Sequence, residues 1–175
     1  RRVHGGSAEY CSLDPEKFRV GDRPWWQDFD DCGYNFRMTD IQAAVGSIQL
    51  RKLDAMNQRR IEIADLICEG LEDVPGLTLP IVQPGNKHVF HLFPLRIDAI
   101  EFGMNKDQFI ATMINEHGVK IGTHYIPLHW STAFQRRGSK RGQFPNAEAI
   151  FEQQVTLPMH PRLTNEAVNY LVESI

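Results

Sequence analysis

Cysteines, long apolar runs and net charge are all scarce in this sequence. Cys11, Cys32 and Cys68 are widely spaced and form no Cys-x-x-Cys pair, so the sequence predicts neither a disulfide framework nor a zinc knuckle. No apolar run approaches the roughly 18 residues that span a bilayer, and no charged start followed by an apolar stretch indicates a signal peptide. We therefore expect a soluble cytoplasmic protein without a membrane partner.

The charge balance argues against nucleic acid as a partner. The formal net charge is −3 and the pI is near 6.2, so no overall field attracts a polyanion. A basic stretch, QRRGSKRGQ at residues 135–143, favours a solvated loop over a nucleic-acid patch. The sequence has no P-loop, G-x-G-x-x-G or G-x-S-x-G motif. We expect no nucleic-acid partner, and any anion must be bound locally.

Composition divides the chain at about residue 38. Residues 1–38 are rich in glycine and proline, and we interpret them as an arm or connection with at most short strands. Helical periodicity begins after Thr39 and Asp40, either of which can cap a helix. Residues 39–175 are numerous enough for one packed domain. The sequence begins Arg-Arg-Val rather than with Met, which we take as a sign that upstream residues are missing.

Helical and extended segments alternate irregularly beyond residue 39, which predicts an α+β fold. A second helix, or a bent continuation of the first, should run to Pro75. The apolar positions expected inside helices are Ile41, Ala44, Val45, Ile48 and Leu53 in the first, and Phe109, Ile110, Met113 and Ile114 in a helix capped by Asn105. Strands are predicted within residues 88–98, 119–128 and 155–159, and further helices from about Asn146 and behind a Thr164 cap.

Asn35 and Arg37 stand immediately before the first helix. Exposed backbone N–H groups and the positive end of the dipole favour an anion there, and a guanidinium adds a planar fork suited to phosphate. The alternative is a turn in which Asn35 tolerates an unusual backbone angle after Gly33, while Arg37 pairs with Asp31 or Asp40. The residues alone leave both interpretations open.

A second group of polar rings lies in the stretch THYIPLH, residues 123–129. His124 and Tyr125 leave a predicted strand, and Pro127 forces an extended exit. Both rings are therefore expected at a strand end, where ligands commonly bind.

The histidine spacing does not favour a metal site. His124 and His129 are five positions apart, and Pro127 prevents the helix that would bring them onto one face. His88 and His91 should point to opposite faces of a strand. We expect each of these histidines to be hydrogen-bonded or exposed, and we predict no metal.

Four blocks of the sequence resemble one known family. They are GYNFRMTDIQAAVGSIQLRKLD, HVFHLFPLRI, THYIPLH and FPNAEAIFEQQVTLPMHPRLT. In order and spacing they are similar to the C-terminal part of the DegT/DnrJ/StrS family of aminotransferases, which act on sugars and depend on pyridoxal 5'-phosphate (PLP). The resemblance runs from about His4 to Ile175. It implies the small C-terminal α+β domain of fold type I, with a mostly antiparallel sheet, joined through residues 1–38 to a larger domain that this chain lacks.

The resemblance implies roles for four residues. Asn35 and Arg37 would bind the cofactor of the neighbouring protomer, with Arg37 near phosphate or substrate. His124 and Tyr125 match a His-Tyr pair that reaches into the neighbour's substrate site. Family members transfer an amino group, usually from glutamate, to a keto-sugar attached to a nucleotide, and they act as dimers.

No catalytic residue carries over to this chain. In the family the Schiff-base lysine lies upstream of the position matched by His4, so it would precede Arg1. We therefore expect this chain alone to be inactive, and to expose apolar surface that the large domain normally covers, with Trp25, Trp26 and Phe29 as candidates. The alternative is a non-catalytic binding or dimerisation module descended from the same family.

Overall fold

The computed structural model describes residues 36–175 and, ahead of them, a pair of two-residue antiparallel strands, β1 (Gly6–Ser7) and β2 (Asp28–Phe29). The chain forms two compact units, Arg1–Arg51 and Lys52–Ile175. The predicted boundary at residue 38 stays a prediction, and the side chains of Trp25, Trp26 and Phe29 lie outside the described residues.

The first helix, α1 (Asp40–Leu71), is one continuous element of 32 residues. Its predicted start is confirmed by a reciprocal cap. Thr39 Oγ1 accepts the backbone N–H of Gln42 at 3.3 Å, and Gln42 Oε1 accepts the backbone N–H of Thr39 at 2.9 Å. The helix continues without a break to Leu71, so the alternative of a separate second helix is wrong. At 1.5 Å per residue, α1 is about 48 Å long.

Burial along α1 changes between its two halves. The second half packs into the core through Ile63, Ala64, Ile67 and Leu71. The predicted apolar face of the first half is exposed instead, with Ile41 at 79% and Val45 at 58%. An amphipathic face of this kind normally packs against another element, and the described residues of this chain do not cover it.

A three-stranded antiparallel sheet forms the centre of the larger unit. Its order is β3 (Leu77–Thr78), β4 (Phe93–Ile97) and β5 (Gln154–Leu157). One face of the sheet packs against α1 and two later helices in a core whose most deeply buried sheet residues are Phe93, Leu95, Val155 and Leu157. Burying each such side chain contributes about 1.5–3 kcal/mol.

The strand predicted over residues 88–98 is shorter than expected. Residues before Phe93 turn instead, because Phe90 has a φ of +45° and its N–H donates to His88 Nδ1 at 3.0 Å. Pro94 lies within the central strand, although proline cannot donate to a sheet ladder. It is accommodated because β3 pairs only with Arg96 and Ile97, and leaves Pro94 without a neighbour on that side.

The strand predicted over residues 119–128 is wrong. Only Gly122 pairs with β5, as a single antiparallel bridge to Thr156. The carbonyl of His124 accepts from the Gln154 side chain rather than from the strand backbone, and Pro127 then leads into a 3-10 helix, Leu128–Trp130.

The remaining helices confirm most of the predicted caps. Asn105 forms a reciprocal capping box with Gln108, and Thr164 accepts from the N–H of Ala167. Ile114, predicted to be inside, is 45% exposed. The helices after α1 are α2 (Ala99–Phe102), α3 (Lys106–Asn115), α4 (Thr132–Gln135), α5 (Pro145–Gln153) and α6 (Asn165–Glu173). The predicted α+β class is confirmed. Within residues 36–175, no helix is both long and apolar enough to cross a membrane.

Candidate functional site

The first predicted pair is only partly described. Arg37 is exposed and lies two residues before Thr39, which caps α1. Asn35 lies outside the described residues. An exposed guanidinium beside a helix N-terminus provides the charge and the planar donors that phosphate requires. The Arg37 side chain is therefore of the chemical type that binds the phosphate end of a cofactor such as PLP.

The described lysines differ in their exposure, and the prediction that none of them is the Schiff-base lysine stays a prediction. The Lys106 ammonium group is buried and donates to the carbonyl of Phe151 at 2.6 Å. Lys17 lies outside the described residues. The other lysines are on the surface: Lys52, Lys87, Lys120 and Lys140.

His124 is held against the edge of the sheet. Gln154 Nε2 donates to the His124 carbonyl at 3.0 Å, and the imidazole makes an edge contact with the Tyr125 ring, with centroids 4.8 Å apart. The Nδ1 atom of His124 is buried and has no hydrogen-bond partner among the residues that the structure describes.

Tyr125 has the opposite environment. Its side chain is 74% exposed, and it is followed by the exposed apolar residues Ile126 and Leu128. A tyrosine with an exposed ring combines an apolar surface with a hydroxyl that can donate or accept. The structure thus places His124 and Tyr125 next to each other, with one ring partly buried and the other presented to the surroundings.

His129 has a structural environment. It is 6% exposed, and its Nε2 lies 2.7 Å from Glu148 Oε1. The same carboxylate oxygen accepts the backbone N–H of Gly142 at 2.7 Å. The hydrogen bond from His129, followed by those from Gly142 and Phe144, lowers the pKa of Glu148. This contact links the THYIPLH segment to the basic loop at residues 135–143.

Sequence reasoning missed Glu148 as the partner of His129. The two residues are 19 positions apart, and only the fold brings α5 against the 3-10 helix. A weak signal existed, because Pro145 marks a helix start and Glu148 then falls in its first turn.

Metal ligation finds no support in this part of the chain. His88 accepts a backbone N–H, and the segment around His91 is not the strand that was expected. Among the described residues, no group of three or more His, Cys, Asp or Glu side chains is arranged to hold a metal ion.

The Cys68 thiol is not an activated nucleophile. Burial, followed by nearby acidic residues, raises its pKa, so less of the reactive thiolate is present.

Solved structures define the class to which this fold belongs. The chain is similar to the PLP form of the sugar aminotransferase Spr1654 from Streptococcus pneumoniae, with a TM-score of 0.75 and 26% identity. The match covers 98% of this chain and 39% of that protein. The fold is therefore that of a portion of a fold type I aminotransferase.

Sequence comparisons identify the family. Residues 12–175 match the DegT/DnrJ/EryC1/StrS aminotransferase family, and the chain belongs to it. Protein MJ1066 of Methanocaldococcus jannaschii is 35% identical over 99% of this chain and 44% of its own length. The dTDP-3-amino-3,4,6-trideoxy-alpha-D-glucose transaminase of Streptomyces venezuelae is 31% identical over 82% of this chain and 36% of its own length. The chain thus spans less than half the length of these relatives.

Proposed function

We propose that this chain is the C-terminal part of a PLP-dependent aminotransferase that acts on a nucleotide-linked keto-sugar, with an amino acid, glutamate, as the donor. The observation that carries the proposal is the family match across residues 12–175. A relative named as a dTDP-amino-sugar transaminase supports the substrate class. A relative solved in its PLP form supports the cofactor.

In this proposal the residues of the chain bind and orient rather than react. Arg37, with Asn35, donates to the phosphate of a cofactor held mainly by the missing domain of the partner subunit. His124 and Tyr125 contact the sugar-nucleotide substrate of the partner subunit. A dianionic phosphate and a nucleotide diphosphate both require such local donors, because this chain carries a formal net charge of −3.

The cofactor supplies the electron sink that amino transfer needs, and the protein supplies binding, orientation and electrostatics. The covalent lysine is expected outside this chain, so the 175 residues alone are proposed to be inactive. Exposure of the apolar face formed by Ile41, Val45 and Ile48 supports a covering domain or subunit over the first half of α1.

The decisive experiment expresses the full-length gene product and the 175-residue chain separately. Each is incubated with PLP, glutamate and a dTDP-linked keto-sugar, and 2-oxoglutarate is measured with a coupled dehydrogenase. We expect production by the full-length protein only. If the full-length product also transfers no amino group, yet both proteins dimerise, the non-catalytic module is the correct interpretation.

Arg37→Ala in the full-length protein tests the phosphate contact. Hydrogen bonds to a charged group contribute about 1.5–3 kcal/mol, so the Kd for PLP or the KM for the sugar should rise about tenfold or more. Arg51→Ala is the matched control, because Arg51 is another exposed arginine, on α1. Equal behaviour of the two variants would contradict the assignment.

A further inference from the structure

Strand β5 fixes the backbone on both sides of Thr123. Gly122 exchanges two backbone hydrogen bonds with Thr156, at 3.0 and 2.7 Å. Two residues further on, the carbonyl of His124 accepts from the Gln154 side chain at 3.0 Å. The strand therefore holds the segment at Gly122 and again at His124, which restricts where the imidazole can lie.

The His124 ring lies directly over Gly122. A Cβ atom added at Gly122 would stand 2.7 Å from His124 Cε1 and 3.3 Å from Nδ1. Carbon atoms in contact are normally about 3.5–4.0 Å apart, so an alanine here would force the ring to move. The φ of Gly122 is outside the left-handed region, so the backbone conformation does not require glycine. Glycine is required because the His124 ring occupies the space that a Cβ would fill.

The position of the ring determines which nitrogen can meet a ligand. Nδ1 is the buried ring nitrogen, and within the described residues it has no hydrogen-bond partner. A buried N–H without an acceptor is rarer than an unpartnered acceptor, so the proton is favoured on Nε2. Nε2 lies on the other side of Cε1 from Nδ1, 3.7 Å from the same Cβ position, and unlike Nδ1 it is not a buried atom without a partner. The imidazole then offers its donor at Nε2.

We infer that Gly122 is a positioning residue for His124: because it has no side chain, the imidazole can lie over Gly122 and present Nε2–H to an oxygen of the sugar-nucleotide substrate. The inference rests on the proposed function, in which His124 contacts that substrate. Gln154 acts in the same way through the backbone, because its amide fixes the His124 carbonyl. Neither residue touches the substrate.

The packing is tested on the 175-residue chain itself by NMR. In the unmodified chain we expect a nuclear Overhauser effect between His124 Hε1 and the Gly122 Hα protons, assigned with a His124→Gln variant. Gly122→Ala should move the His124 ring resonances while those of the other six histidines stay in place. Absence of the Overhauser effect in the unmodified chain overturns the inference, and this readout requires no catalytic activity.

The functional consequence is tested in the full-length enzyme by a double-mutant cycle of Gly122→Ala and His124→Ala. Gly122→Ala should raise the KM for the sugar-nucleotide about tenfold, with kcat changed less than twofold, since one ground-state hydrogen bond to a charged or polar oxygen is lost. In the His124→Ala background it should have no further effect on KM. Gln154→Ala should raise KM in the same direction, and it keeps the test available if Gly122→Ala does not fold.

Gly70→Ala is the matched control. A Cβ at Gly70 would stand 2.5 Å from Val172 Cγ1, and its φ is likewise outside the left-handed region, so it imposes a comparable side-chain clash between α1 and α6. It should lower the melting temperature without changing KM.

The failures of the two proposals are distinguishable. If His124→Ala leaves KM unchanged, the substrate role of His124 fails and the positioning inference falls with it. If His124→Ala raises KM but Gly122→Ala and Gln154→Ala do not, only the positioning inference is overturned. If Gly122→Ala raised KM equally in the unmodified enzyme and in the His124→Ala variant, the positioning inference would also be overturned.

Discussion

The buried Lys106 ammonium group is expected to stabilise the contact between α3 and Phe151 of α5, next to the THYIPLH segment. Lys106 is the first residue of α3, and only 6% of its surface is exposed. Its Nζ donates to the Phe151 carbonyl at 2.6 Å and lies 3.8 Å from the centroid of the Phe151 ring. That ring makes an edge contact with Trp130, next to His129. Lys106→Met keeps an unbranched stem of four atoms, with sulfur in place of Cδ, and removes the ammonium group.

The expected loss follows from these two contacts. A hydrogen bond from a charged donor contributes about 1.5–3 kcal/mol, and a desolvated cation–π contact contributes about 0.5–2 kcal/mol. Methionine recovers part of this, because it fills the space and relieves the desolvation of the ammonium group, but it leaves the Phe151 carbonyl without its donor. We expect the free energy of unfolding to fall by about 2 kcal/mol, and Tm by about 4–8 °C.

The assay is urea unfolding of the unmodified chain, Lys106→Met and Lys120→Met, followed by circular dichroism. Lys120 is exposed, so its variant controls for the loss of one surface charge and should lie within about 0.5 kcal/mol of the unmodified chain. If Lys106→Met were as stable as the unmodified chain or more so, the ammonium group would be buried at a net cost and the reasoning would be refuted.

Three further outcomes are expected. Asn105→Ala should cost about 1 kcal/mol in the free energy of unfolding, because it removes the capping box of α3; no change in urea midpoint would contradict this. The lowered pKa of Glu148 means that its contribution to stability is present above its ordinary value of 4.5 and is lost as pH falls through the lowered pKa. The Tm of Glu148→Gln should therefore fall less between pH 6 and pH 3 than the Tm of the unmodified chain. An equal fall in the two proteins would contradict a stabilising contact between Glu148 and His129. Arg60→Leu should cost about 2 kcal/mol, because Arg60 Nη1 donates to the carbonyls of Phe90 and Met159, each at 3.1 Å; urea unfolding with an unshifted midpoint would oppose this.

Helix starts were predictable because their causes are local. Thr39, Asn105 and Thr164 all cap through residues within three positions, and each is identifiable from the sequence. By contrast, the carbonyls that accept from Arg60 lie 30 and 99 residues away along the chain, and no local pattern in the sequence indicates them.

One predicted strand is shorter than expected and one is absent, and in both cases the cause is not evident from the sequence pattern. Residues 88–92 are apolar and aromatic enough for a strand, but the backbone turns at Phe90. Residues 119–128 begin with the alternation of a strand, Val119-Lys120-Ile121, but only Gly122 pairs with β5. Where the ladder would continue, the Gln154 side chain donates to the His124 carbonyl instead. In both cases a side chain competes with the ladder for a backbone group.

For the candidate site, too, the sequence indicates some of the residues and not others. Arg37, His124 and Tyr125 are residue types that can donate to an oxygen-rich ligand, and that role stays a prediction. The residues that position these side chains could not be predicted from the sequence. Gly122 matters only because the His124 ring lies over it, and such contacts depend on how the loop folds rather than on spacing.

The central claim is that the residues just ahead of α1 bind the phosphate of a cofactor held by a second subunit. A crystal structure of the full-length protein with PLP tests this most directly. We predict that Asn35 and Arg37 will lie within hydrogen-bonding distance of a phosphate oxygen on the partner subunit's cofactor. Finding both side chains directed into solvent, or packed against their own chain with the phosphate bound elsewhere, would contradict the account.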